Sequence, residues 1–148
     1  MRKTKRLLLI AVCCIVSFLT PAFADNEKPI KASQLPTKAQ TVIANHFKGQ
    51  KVSYATIESG ITNKEYEVTL QNGVQLEFDK NGTVTKVDCK RGKVPEKMIP
   101  QRIIKHVKKN YPGATVRKYE IDKKEYEIEL SNGVEITFDK KFRVKKVE

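Results

Sequence analysis

The 148-residue chain has no tryptophan and only three cysteines, two of which, Cys13 and Cys14, lie in its first 24 residues. If that stretch is removed, Cys89 alone remains. A disulfide within the chain is then excluded, and stability must come from packing. The bland place for such a thiol is a partly buried strand end. Histidine is equally scarce: His46 and His106 have no convergent partners of the kind a base or metal ligand needs. No GxSxG, HExxH or CxxC pattern occurs. These absences point to a protein that is not an enzyme and carries no cofactor. The one long apolar run, Leu7 to Leu19, falls short of the roughly 20 residues that a spanning helix requires.

That run is preceded by Arg2, Lys3, Lys5 and Arg6 and followed by Ala22-Phe23-Ala24. This is the layout of a cleavable secretory signal, residues 1–24, with cleavage expected before Asp25. The expected location is therefore periplasmic or secreted, with no transmembrane segment after cleavage. The remaining 124 residues make one ordinary domain. They carry 25 Lys and Arg against 17 Asp and Glu, about +8 and well mixed in sign.

Residues 25–34 are polar and aperiodic, and read as a flexible lead-in. From Leu35-Pro36 the pattern becomes regular. Ala39, Val42, Ile43 and Phe47 recur at helical spacing, Pro36 suits a first turn, and Gly49 stops the helix. A second helix repeats the device, with Ile99-Pro100 at its start, Ile103, Ile104, Val107 and Tyr111 as its stripe, and Pro112-Gly113 at its end. The segment KEYEVTLQNGVQLEFDK (64–80) returns as KEYEIELSNGVEITFDK (124–140), and residues 64–87 match 124–147 at 14 of 24 positions. This is a tandem duplication: a first repeat at 35–89, a basic linker at 90–98 and a second repeat at 99–148. Under this alignment His46 falls on Asn110, so the histidines form no symmetric pair. The extra length of the first copy lies in the turn SGITN (59–63).

Each copy reads as one helix and four strands, at roughly 50–58, 64–71, 74–80 and 83–89, then 114–121, 124–131, 134–139 and 142–147. Tyr66, Val68 and Leu70 alternate with Glu65, Glu67 and Thr69, the period-two pattern of a sheet with one wet face. A two-residue Asn72-Gly73 turn would set Leu70 opposite Gln75 and mix the faces. A three-residue loop with Gly73 left-handed instead pairs Leu70 with Val74, Val68 with Leu76 and Tyr66 with Phe78. Asp79 to Gly82 makes the next turn, with Phe78 opposite Val84. Phe142 stands where Gly82 would be, so the corresponding turn is expected to differ.

The Leu-Pro or Ile-Pro helix start, the Phe-Lys-Gly or Tyr-Pro-Gly helix end and the EYEV-L-NG-LEFD-NG run together resemble the PepSY-like family, exported bacterial domains similar in fold to beta-lactamase inhibitor protein. The resemblance spans Leu35 to Val147. It implies an α+β fold in which two tandem helix-plus-four-strand repeats join into one curved antiparallel sheet, with helices on one face and the other open to a partner. As a class of behaviour it implies binding another protein or ligand across the sheet.

The preferred register leaves one oddity. Glu67 faces Glu77 and Glu65 faces Asp79, while Glu129 faces Glu135 and Glu125 faces Asp139; like charges directly opposed destabilise a hairpin. Arg143 and Lys145 are expected beside the second group, but only Thr83 and Thr85 beside the first. The candidate contacts for an exported or envelope protein partner are therefore Glu67, Glu77, Glu129 and Glu135, with Tyr54 and Tyr119 as neighbouring aromatics. Two alternatives are carried beside this one. One is adhesion to an anionic glycolipid or membrane surface through Lys105, Lys108 and Lys109 on the second helix. The other is cation binding by the acidic face, since clustered oxygens suit hard cations. Export argues against nucleic acid.

Overall fold

The computed structural model describes residues 27–60 and 63–148; the expected signal segment with its expected cleavage site, and part of the SGITN turn, lie outside them. Nine strands form one open antiparallel sheet in which each strand hydrogen-bonds its neighbours in sequence. They are β1 (Glu27–Pro29), β2 (Val52–Ser59), β3 (Lys64–Leu70), β4 (Gln75–Asp79), β5 (Val84–Asp88), β6 (Val116–Ile121), β7 (Glu125–Leu130), β8 (Glu135–Asp139) and β9 (Val144–Val147). Helix α1 (Thr37–His46) lies between β1 and β2, and α2 (Gln101–Asn110) between β5 and β6.

Both helices begin directly after a proline, Pro36 or Pro100. Both close on an amide of the aromatic residue next in the chain: Phe47 donates to the Ile43 carbonyl at 2.9 Å and Tyr111 to that of Val107 at 2.8 Å. Gly49 and Gly113 then take positive φ, the left-handed conformation that ends a helix. Ala39, Ile43, Ile103, Ile104 and Val107 are buried in one cluster with Ala55, Val68, Leu76, Phe78, Val87, Ile128, Ile136 and Phe138 from alternate positions of the strands. The helices therefore cover one sheet face, and the alternating residues of the strands remain on the other.

The Asn-Gly loops have three residues, as expected. Leu70 N–H donates to Val74 O, Gly73 N–H to Leu70 O, and Leu130, Val134 and Gly133 repeat the pattern. The pairs Tyr66–Phe78, Val68–Leu76 and Glu67–Glu77 result from it.

Two expectations are corrected. The lead-in is not flexible from Glu27 on: Glu27–Pro29 pairs with β2, and the Ile30 amide donates to Ala55 O at 2.9 Å. A three-residue strand carries no detectable period, which is why pattern reading passes it over. The basic linker contributes to the core, since Val94 is buried and its amide donates to Val116 O at 2.8 Å. Finally, the turn at Phe142 does not differ. Phe142 takes φ 63° where Gly82 takes 76°, and its amide donates to Asp139 O as Gly82 N–H does to Asp79 O. Its ring stacks on Tyr126 at 5.3 Å and 11°, and the Arg102 guanidinium lies 5.9 Å from its centroid. These contacts offset the roughly 1–2 kcal/mol that a left-handed side-chain-bearing residue costs.

At Gly82 there is no such room, because a Cβ there would meet Pro36 Cβ at 2.8 Å and Ala39 N at 2.9 Å. The N-terminus of α1 sits directly on this turn. Gly82→Ala is expected to destabilise by about 2–4 kcal/mol through backbone strain and overpacking, whereas Gly73→Ala, which meets nothing within 4 Å, loses only the backbone part. Urea unfolding of both variants checks the difference.

Candidate binding face

On the face turned away from the helices, directly paired residues form a row across all nine strands: Pro29, Thr56, Glu67, Glu77, Lys86, Glu120, Glu127, Thr137 and Lys146. A second row places four carboxylates on consecutive strands, Glu27, Glu58, Glu65 and Asp79. On the other side runs a third, from Tyr54 through Thr69, Gln75, Asp88 and Lys118 to Glu129 and Glu135. Residues paired in this way have Cβ atoms about 5 Å apart and interact directly.

The four glutamates singled out from the sequence thus share a face but not a site. Glu77 is on β4 and Glu129 on β7, about 14 Å away at one strand spacing per step, and they belong to different rows. The Glu67–Glu77 pair has Glu127–Thr137 as its counterpart in the second half, and Glu129–Glu135 has Thr69–Gln75. Glu77 instead shares a shallow groove of about 570 Å³ with Glu65, Asp79, Glu120 and Asp122, and with Lys64, Lys80 and Lys123.

Some repulsion is relieved by cations. A register shift between Glu77 and Phe78 skips Thr85 and brings Lys86, not a threonine, opposite Glu77, where the two form an ion pair at 2.8 Å. The hydrogen bond to Glu77 raises the Lys86 pKa above its ordinary value. Lys145 reaches Glu125 at 2.7 Å and Arg143 reaches Asp139 at 2.7 Å, as expected from the order of residues. Lys118 lies 3.3 Å from Glu120 and 3.8 Å from Glu127. Asp79 has a structural duty, its carboxylate accepting the Asn81 and Thr83 amides at 2.8 Å, and Asp139 does the same for Lys141 and Arg143. The repeated aspartate is thereby explained by turn formation.

Glu67 has no ion-pair partner among the described residues. Partial burial, then the charges of Glu77, Glu27 and Glu58, push its pKa above the ordinary glutamate value. Glu27 and Glu58 are contributors the sequence did not reveal. Glu27 sits in the short first strand, and Glu58 gains its place only through pairing with β1 and β3.

Of the two aromatics, Tyr54 lies on this face and is 50% exposed, but Tyr119 does not and is 2% exposed. The expectation for Tyr119 is overturned by a register shift in β6 between Val116 and Lys118, matched by one in β2 between Val52 and Tyr54. Tyr119 pairs with Ile128 as Ala55 does with Val68, and Lys118 takes the place of Tyr54. Burial raises the Tyr119 pKa well above its ordinary value. Lys105, Lys108 and Lys109 are exposed on α2, with Lys108 paired to Glu96 at 2.9 Å. His106 packs edge-on against Phe138 at 5.4 Å. Cys89 is buried, which pushes its thiol up to about 11. Among the described residues no group of three or more His, Cys, Asp or Glu is arranged to hold a metal ion, and no helix is long and apolar enough to cross a membrane.

The raised pKa of Glu67 has a definite sign in stability. The folded state holds this proton more tightly than the unfolded chain, so the contribution is present below the ordinary glutamate value of about 4.3 and lost as pH rises through the raised one. Glu67→Gln is therefore expected to stabilise at pH 7 by about 0.5 kcal/mol, the scale of an opposed like-charge pair. The gain should vanish below the glutamate range, which thermal melts across pH would reveal.

Comparison with known proteins agrees with this architecture. The family described as "Putative beta-lactamase-inhibitor-like, PepSY-like" matches the chain twice, over residues 23–86 and 64–146. A crystal structure of a "putative periplasmic protein" from Bacteroides vulgatus is 47% identical, with a TM-score of 0.82 over 85% of this chain and 99% of that one. A "putative calcium-regulated periplasmic protein" from Bacteroides thetaiotaomicron is 47% identical, with a TM-score of 0.81 over the same shares. A further "putative periplasmic protein of unknown function" from Bacteroides vulgatus is 36% identical, with a TM-score of 0.79 over 82% of this chain and 98% of that one. Among curated proteins, none matches.

Proposed function

Since the chain belongs to the beta-lactamase-inhibitor-like, PepSY-like family, we propose that it is a periplasmic, non-enzymatic module that binds a positively charged protein or ligand on the open face of its sheet. The observation that carries this reading is Glu67, held opposite Glu77 and beside Glu27 and Glu58 with its ionisation disfavoured. Folding would be better served there by a neutral or basic residue. An incoming cationic group relieves the repulsion and gains the Coulomb energy. Next to Glu67's partner Glu77, the groove sets five acids, Glu65, Glu77, Asp79, Glu120 and Asp122, against three lysines, Lys64, Lys80 and Lys123.

The same reading takes the two halves as copies of one unit. In its favour are the doubled family match and the equal pairings Val68–Leu76 and Ile128–Ile136. The acidic corner is then a specialisation of the first copy, since Glu127 in the second opposes Thr137.

A second reading is regulation by a divalent cation. It draws on the calcium-regulated description of the Bacteroides thetaiotaomicron relative; the row Glu27, Glu58, Glu65 and Asp79 supplies carboxylates on that face, though they are not gathered as a metal-holding group. Adhesion to an anionic surface through Lys105, Lys108 and Lys109 has less behind it, because these cations occupy the ordinary solvated side of an amphipathic helix.

Two measurements separate these readings. In cross-linking from the native cell envelope, Glu67→Lys, Glu77→Lys, Glu129→Lys and Glu135→Lys combined should abolish the capture of partners that the wild-type domain retains. Unchanged capture would sink the face as a binding site. In thermal shift at micromolar calcium, the cation reading requires a rise in melting temperature that Glu58→Gln and Glu65→Gln remove.

A further inference from the structure

The cations of the linker gather with others at the end of the sheet opposite the acidic groove. Strand β5 ends there at Asp88, β6 begins at Val116 and β7 ends at Leu130, whereas the groove lies at the other strand ends, by Lys64, Asp79 and Asp122. Three stretches far apart in sequence line one open hollow of about 510 Å³: Arg91, Gly92 and Lys93 from the linker, Thr115 and Arg117 at the start of β6, and Ser131 just past β7. No acid among the described residues lines it. A second hollow, of about 480 Å³, shares Gly92 and Lys93 with the first and adds Lys48, again with no acid among the described residues.

We propose that this hollow binds a phosphate monoester, held as the dianion by Arg91, Lys93 and Arg117 with the hydroxyls of Thr115 and Ser131. The backbone fixes one of these cations in place. Arg117 Nε–H donates to the Lys90 carbonyl at 2.8 Å, on a turn where Lys90 takes φ 49° and its amide donates to Asp88 Oδ1 at 2.8 Å. One edge of the guanidinium is thereby anchored, and its terminal N–H groups are left for an oxyanion. Between β6 and the turn after β7, Thr115 N–H donates to Ser131 Oγ at 3.1 Å and Ser131 N–H to Thr115 O at 2.8 Å. The Ser131 oxygen thus accepts from the chain, and its own proton is left to donate outward.

Charge and the number of donors select the ligand. Arg91, Lys93 and Arg117 have no ion-pair partner among the described residues, and the acids of the adjoining segments are taken, Asp88 by Lys90 at 2.7 Å and Glu96 by Lys108 at 2.9 Å. Three like charges around one hollow repel each other until an anion enters. A carboxylate, with one charge and two oxygens, answers a single guanidinium; a phosphate monoester brings three terminal oxygens and about −1.5 to −2 charge at pH 7, which matches three cations and two hydroxyls. Lys105 and Lys109 of α2 line neither hollow, so the site is separate from the basic helix face. Because its donors are open to water, binding is weak and falls with salt.

The probe is inorganic phosphate, titrated at constant ionic strength into the isotopically labelled mature chain. Above the second phosphate pKa of about 6, millimolar phosphate is expected to move the backbone amide signals of residues 91–93, 115–117 and 131, and acetate to leave them in place. Well below that pKa the response should weaken several-fold, since the monoanion carries half the charge. Arg91→Gln combined with Lys93→Gln, at two exposed positions, should weaken binding about tenfold with the melting temperature unchanged, and Arg117→Gln about threefold or more. Vesicles of phosphatidic acid, whose headgroup is itself a phosphate monoester, separate the two sources of the ligand. Sedimentation with them that the double variant loses identifies a lipid phosphate, and phosphate binding without sedimentation identifies a soluble ester. Unmoved amides at these residues, an equal response to acetate, or undiminished phosphate affinity in the double variant would each overturn the proposal.

Discussion

Everything in this fold depends on the register that the three-residue Asn-Gly loops impose. Leu70 closing on Val74, and Leu130 on Val134, aligns apolar with apolar and polar with polar in each central hairpin. A shift by one residue would exchange the faces wholesale. Once aligned, Val68, Leu76, Phe78, Ile128, Ile136 and Phe138 form a floor for α1 and α2, and every acid between them is committed to the opposite face. The opposed glutamates are a by-product of the same register, which also sets the electrostatic character of the open face.

Superimposed on that alternation are four register shifts, in β2, between β4 and β5, in β6, and between β8 and β9. Each admits one extra residue and exchanges the faces of the remaining residues in its strand. One shift makes Tyr119 a core residue, and another sets Lys86 between Glu77 and Glu120. They also place two valines of β9 three residues apart on the same side. The core position of Tyr119 and the charge pattern of the open face are therefore consequences of a single device.

The helices, eight of the nine strands, the three-residue Asn-Gly loops and the like-charge pairs were legible in the sequence, because period, proline placement and Asn-Gly chemistry act over a few residues. The face of Tyr119 was not, since a bulge leaves no local mark distinguishing it from simple alternation. Nor was β1, whose three residues are ordered only by β2. Phe142 illustrates a different limit. A side chain at φ 63° looks prohibitive locally, yet Tyr126 and Arg102, distant in sequence, supply the contacts that hold it.

By itself, the sequence determined the α+β class, the pairing of the central hairpins and the opposition of Glu67 to Glu77, all of which rest on interactions between near neighbours in the chain. Only the tertiary structure decided which carboxylates gather around Glu67, which receive a lysine, and which strand is left without a neighbour. Those outcomes depend on strands brought side by side across helices and linkers, where a one-residue bulge redirects a side chain and no local pattern records it.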